Sequence, residues 1–148
     1  RIGYAVIPEA LFGALRKVQD TNVICATAIS QYAALGALQA GPGYCRPYLA
    51  DMAIVRRQGI EAMKSLEGRA SLLPSTGAFY LFVRVPGYEG NDLDLARNLI
   101  EHFGVAVIPG SAFGVNDVCA FRASFGALQS DSAIEGLDRL VTGLKNLV

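Results

Sequence analysis

Missing from these 148 residues is any apolar run near the roughly 18 residues that a membrane-spanning helix needs; arginine, lysine, glutamine or aspartate interrupts each one. Histidine occurs once, at His102, too little for a metal cluster, and it follows a glutamate in an ordinary amphipathic pattern. Cysteine occurs three times, at Cys25, Cys45 and Cys119. That odd, wide spacing makes neither a metal-ligand set nor a disulfide framework and favours a reducing, cytoplasmic setting. No signal-peptide pattern, no G-x-G-x-x-G phosphate loop and no Ser–His–Asp or Cys–His combination occurs. Neither sign of charge is in excess, with 13 basic against 13 acidic residues. No basic run or aromatic–basic interleaving marks a nucleic-acid groove. Metal, nucleic-acid and membrane roles are therefore not expected.

What is present is apolar. The hydrophobic fraction is 52%, somewhat high for an independent domain of this size. The surplus predicts buried interface, with a partner subunit or with other parts of the same protein. The chain opens at Arg1 rather than Met, in what reads as mid-strand, so a piece of a longer protein is expected.

Periodicity gives the elements. Residues 1–7 (RIGYAVI) read as a strand stopped by Pro8, which suits the first turn of a helix; that helix runs to about Asp20. An Ala-rich helix over about 26–39 stops at Gly41-Pro42-Gly43. A third, over about 47–66, carries a stripe of Met52, Val55, Gly59, Ala62 and Leu66; Gly59 within it predicts close packing. AFYLFVRV (78–85) is a strand, and Asn91 or Asp92 caps the next helix. Val105–Ile108 and Cys119–Phe125 are further strands, and a capping-box pattern at Ser132 and Glu135 opens the last helix. The expected fold is α+β: a small antiparallel or mixed sheet of about three strands, with helices on one face, plus the N-terminal strand and its helices.

In the last strand Phe121, Ala123 and Phe125 alternate with Arg122 and Ser124. A guanidinium so placed requires a partner. That partner is an internal carboxylate, solvent at the sheet surface, or a ligand carboxylate gripped bidentately. VIPGSAFG (107–114) and STGAFY (75–80) are glycine–aromatic turns that bring backbone close to a ligand or simply reverse the chain. Lys17, Lys64 and Lys145 sit on solvated helix faces.

Five segments, RIGYAVIPEALFGALRKVQ (1–19), SQYAALGAL (30–38), LPSTGAFYLFVRV (73–85), VAVIPGSAFG (105–114) and FRASFGAL (121–128), together resemble the C-terminal part of the class I/II pyridoxal-phosphate-dependent aminotransferases of the aspartate aminotransferase fold. The resemblance covers essentially the whole chain. It implies one domain over 1–148: a residual large-domain strand and helix (1–24), connecting helices (25–66) and the small-domain sheet and helices (67–148). Arg122 matches the arginine that binds the substrate carboxylate, Gly77 a loop lining the substrate pocket, and Arg1 an arginine on the cofactor phosphate. The Schiff-base lysine of such enzymes lies before that arginine, so no catalytic residue is expected here. The intact enzyme then uses pyridoxal 5'-phosphate, amino acids and 2-keto acids and forms a homodimer, while this chain alone binds no cofactor and is inactive. Two alternatives stand beside it: an aminotransferase-like ligand-sensing domain of a transcription regulator, and a catalytically dead stand-alone small domain.

Overall fold

The computed structural model describes residues 2–148; Arg1, matched above to a cofactor-phosphate contact, lies outside the described residues. The chain divides into two compact units, 1–47 and 48–148. In the first, Pro8 (φ −60°) leads into α1 (Glu9–Asn22), with Glu9 in the first turn, where a carboxylate complements the helix dipole. The second helix, α2 (Ala28–Ala40), ends at Gly41, whose φ of +73° favours glycine, and a single 3-10 turn follows at Pro42–Tyr44. Neither helix has a buried residue. The strand expected over 1–7 does not form a ladder: residues 2–7 pair with no strand among the described residues. Alternation alone makes no strand without a neighbour to take its backbone hydrogen bonds, and Tyr4 and Val6 stand exposed.

The second unit holds the sheet. Its first helix, α3 (Arg46–Lys64), buries Val55, Gly59 and Met63, and Leu66 just beyond is buried as well. A Cβ on Gly59 would stand 3.0 Å from Leu137 Cδ1 and 3.2 Å from Leu81 Cδ1, so the glycine does mark a close approach. Four strands follow, β1 (Ser71–Leu72), β2 (Tyr80–Arg84), β3 (Ile108–Pro109) and β4 (Ala120–Ser124), with α4 (Asp92–Phe103) after β2 and α5 (Ser130–Leu147) after β4. All pairings are antiparallel, in the order β1-β2-β4-β3.

The sheet therefore has four strands rather than about three. The added β1 is two residues long, too short to show a period. The strand expected over 105–108 shrinks to Ile108–Pro109 because the chain before it still serves α4. Gly104 takes the left-handed conformation (φ +66°) and its N–H reaches the Ile100 carbonyl, while the Val105 N–H reaches Leu99 O at 3.0 Å.

Leu81, Val83, Phe121 and Ala123 face inward onto Leu95, Leu99, Leu137, Leu140 and Leu144 in a single core, so helices cover one face of the sheet. Asn91 caps α4, its side-chain oxygen accepting the Asp94 N–H at 2.8 Å. The capping box expected at Ser132 does not form: α5 begins at Ser130, no side chain caps it, and Glu135 instead pairs with Arg139 one turn on. The apolar stripe of Ala133, Leu137, Leu140 and Leu144 sets where that helix lies.

Candidate carboxylate-binding site

The alternation read from Phe121 to Phe125 holds: Phe121, Ala123 and Phe125 are buried, Arg122 is half-buried and Ser124 exposed. Opposite β4, the same outer face of β2 carries Tyr80, Phe82 and Arg84, each half-buried. Phe82 is the register partner of Arg122 across β2, and Ile108 across β3. The Arg122 guanidinium carbon lies 4.2 Å from the centre of the Tyr80 ring and 4.8 Å from that of Phe113. Phe113 meets Phe82 edge-on, with ring centres 6.1 Å apart. The cation is thus held between two aromatic faces, each worth about 0.5–2 kcal/mol depending on desolvation.

Rings satisfy the faces of a guanidinium but not its N–H groups. Arg122 Nε is buried with no hydrogen-bond partner, and no carboxylate among the described residues forms an ion pair with Arg122. Arg84, on the same face, has an equally buried and unpartnered Nε but differs at Nη2, which reaches Asp117 Oδ2 at 3.2 Å. Among the described residues, then, no internal carboxylate neutralises the Arg122 guanidinium.

The turn between β3 and β4 places Phe113. Gly110 is buried, and a Cβ there would stand 2.9 Å from Ala120 Cβ and 3.0 Å from Ala120 O. The glycine permits the close approach of the turn to β4. Gly110–Phe113 forms a 3-10 turn closed by Gly114 at φ +79°. Asp92 grips this turn, Oδ2 accepting the Ser111 N–H at 2.6 Å and Oδ1 accepting the Ser111 hydroxyl at 3.1 Å.

Gly77 lies in a different hollow, of about 360 Å³, whose lining includes Met52, Arg56, Gly77, Phe79 and Phe125 but not Arg122. Its loop is tied down: Arg56 Nη2 donates to the Ser75 carbonyl, and the Ser75 hydroxyl donates to Gly77 O at 2.7 Å. Ala78 follows at φ +61°. The Gly77 and Arg122 segments meet at Phe79, Tyr80 and Phe125: the Phe79 and Tyr80 ring centres are 4.5 Å apart, and the Phe125 N–H reaches Phe79 O at 3.0 Å. Tyr80 and Asp92 join the site without having been foreseen in it, while Phe113, expected to pack beneath the 107–114 turn, meets the Arg122 guanidinium. For Tyr80 the signal was there, since alternation along AFYLFVRV sets Tyr80, Phe82 and Arg84 on one face.

Cys119 sits beside the turn. Burial, and then the negative charge of Asp92, push its thiol from 9.0 up to about 11. The fold favours the neutral thiol, so this stabilisation is complete below pH 9 and is lost as pH rises through 11. At about pH 8.5 the Cys119 thiolate fraction should be about a hundredfold below that of an ordinary exposed thiol. Iodoacetamide should therefore label the exposed Cys25 and Cys45 well before Cys119 when the sites are followed by peptide mass mapping. Equal rates would contradict the assignment.

A family model for the class I and II aminotransferases matches residues 1–140. The chain is 34% identical over 151 residues to an aromatic aminotransferase of Arabidopsis thaliana, covering 100% of this chain and 38% of that protein. It is 31% identical over 157 residues to an aspartate aminotransferase of Rhizobium meliloti, covering 99% of this chain and 37% of that protein. The crystal structure of an aminotransferase from Mycobacterium tuberculosis superposes with a TM-score of 0.71 at 27% identity, over 95% of this chain and 36% of that one. The chain thus spans little more than a third of the length of the proteins it matches.

Proposed function

The chain belongs to the class I and II aminotransferases, and we propose that it supplies the part of such an enzyme that holds the substrate carboxylate. The enzyme would move an amino group between an amino acid and a 2-keto acid. One observation carries the reading: Arg122 is held between Tyr80 and Phe113 with a buried Nε that no protein group satisfies. A carboxylate offers two oxygens at the spacing of the guanidinium N–H groups. Gly77, in its own hollow, would border the bound substrate.

Pyridoxal phosphate is the cofactor this reading implies, and the described residues alone do not fit it. Its aldehyde requires a lysine. Lys17 stands in α1 and Lys145 in α5, Lys64 pairs with Glu61 at 2.7 Å, and none of the three lines the Gly77 hollow or shares the Arg122 sheet face. Arg1 is assigned to the cofactor phosphate. Within the chain the reading gives 67–148 to the small domain, 25–66 to connecting helices and 1–24 to the large domain. It also includes a cytoplasmic homodimer, which three free cysteines and the exposed Tyr4, Val6, Ile29, Tyr32 and Leu38 of unit 1–47 support.

Given pyridoxal phosphate, an amino acid and 2-oxoglutarate, the 148-residue chain should form no glutamate, whereas the intact enzyme should. Turnover by the chain alone would overturn its assignment as a part. No transfer by the intact enzyme from any of the standard amino acids to 2-oxoglutarate, pyruvate or oxaloacetate would overturn the activity itself.

A further inference from the structure

We infer that Asp92 is a positioning residue for the carboxylate site, clamping the 110–113 turn so that Phe113 lies over the Arg122 guanidinium. This rests on the reading of Arg122 given above.

Both oxygens of Asp92 go to one residue of another element: Oδ2 to the Ser111 N–H at 2.6 Å and Oδ1 to the Ser111 hydroxyl at 3.1 Å. Asp92 is not occupied in capping its own helix, because Asn91 does that through the Asp94 N–H. Nor is it drawn into an ion pair among the described residues. Two residues beyond Ser111, Phe113 covers the guanidinium at 4.8 Å, yet the residue is 46% exposed. Burial of that ring alone is too slight to hold it in place. Its other restraints are the edge-on contact with Phe82, the backbone hydrogen bonds of the turn from Gly114 N–H to Ser111 O and from Val115 N–H to Gly110 O, the packing of Gly110 onto Ala120, and the Asp92 clamp, which ties the turn to α4 through a side chain.

In the intact enzyme, Asp92→Ala should raise the KM for amino acid and keto acid alike by about tenfold, the equivalent of one hydrogen bond to a charged group, with kcat changed less than about twofold. Asp92→Asn, which retains an acceptor for the Ser111 N–H, should recover most of the loss. Ser111→Ala, which loses only the hydroxyl, should raise KM by about threefold, and it carries the test if Asp92→Ala does not fold. A second readout needs neither cofactor nor turnover. In the 148-residue chain, the Arg122 Nε–H resonance should shift in the variant because the Phe113 ring leaves it. An unmoved KM, or an unmoved resonance, in a folded variant overturns the inference. An unmoved KM in Arg122→Ala overturns the carboxylate reading instead, so the two failures are distinct.

Discussion

Replacing Arg122 with alanine should raise the KM of the intact enzyme for its amino acid substrate by at least about a hundredfold. A bidentate grip is two hydrogen bonds to a charged group, each worth about 1.5–3 kcal/mol, and about 3 kcal/mol corresponds to a little over two decades in binding. Arg122→Lys keeps the charge but not the planar fork, so it should recover only part of the loss. Stability should move far less, by about 1 kcal/mol or less. Giving up the attraction of the Tyr80 and Phe113 rings for the cation is offset by removing a buried Nε without a partner. Steady-state kinetics alongside thermal melts separate the two effects. A KM within about threefold of the parent, well under the two decades expected from the fork, would remove Arg122 from the carboxylate site.

The second large effect falls on the other face of the same strand. Phe121 is fully buried and pairs in register with Val83 on β2 and Pro109 on β3, so one ring closes the centre of the sheet against the helices. Phe121→Ala should cost about 3–5 kcal/mol, lost burial plus an unfilled cavity. A domain of this kind holds about 5–15 kcal/mol in total, so the variant should be partly unfolded or close to it. With a denaturant slope of about 1–3 kcal/mol per molar urea, the midpoint followed by circular dichroism should fall by at least about 1 M. A midpoint left where it was would mean the core does not depend on this ring.

Elements that repeat over at least one full period were legible. Alternation over AFYLFVRV and FRASF located β2 and β4, and it separated Arg122 from its buried neighbours. Spacing along the helices located α3, α4 and α5, and Gly59 inside the α3 stripe signalled the close approach found there. The two-residue strand β1 carried no such signal, because pairing with a longer neighbour makes it a strand and its own composition does not; β3 was legible but was read to begin three residues too early. Residues 2–7 show the converse, a strand-like pattern left without a ladder. The contacts that complete the Arg122 site were illegible for a related reason. Phe113 reaches the guanidinium through a 3-10 turn, and Asp92 reaches a residue nineteen positions further along the chain; neither is written in a local period.

The strand order also bears on how the molecule is made. β4 lies between β2 and β3, and β2, already paired with β1, waits for its second partner about forty residues further along, a separation that slows folding. On a ribosome adding about 5–20 residues per second, Leu81 and Val83 would be without Phe121 and α5 beside them for several seconds. Only β1 and β2 can pair as they emerge. The sheet must close late, when β4 and α5 arrive almost together to supply both the middle strand and its helix.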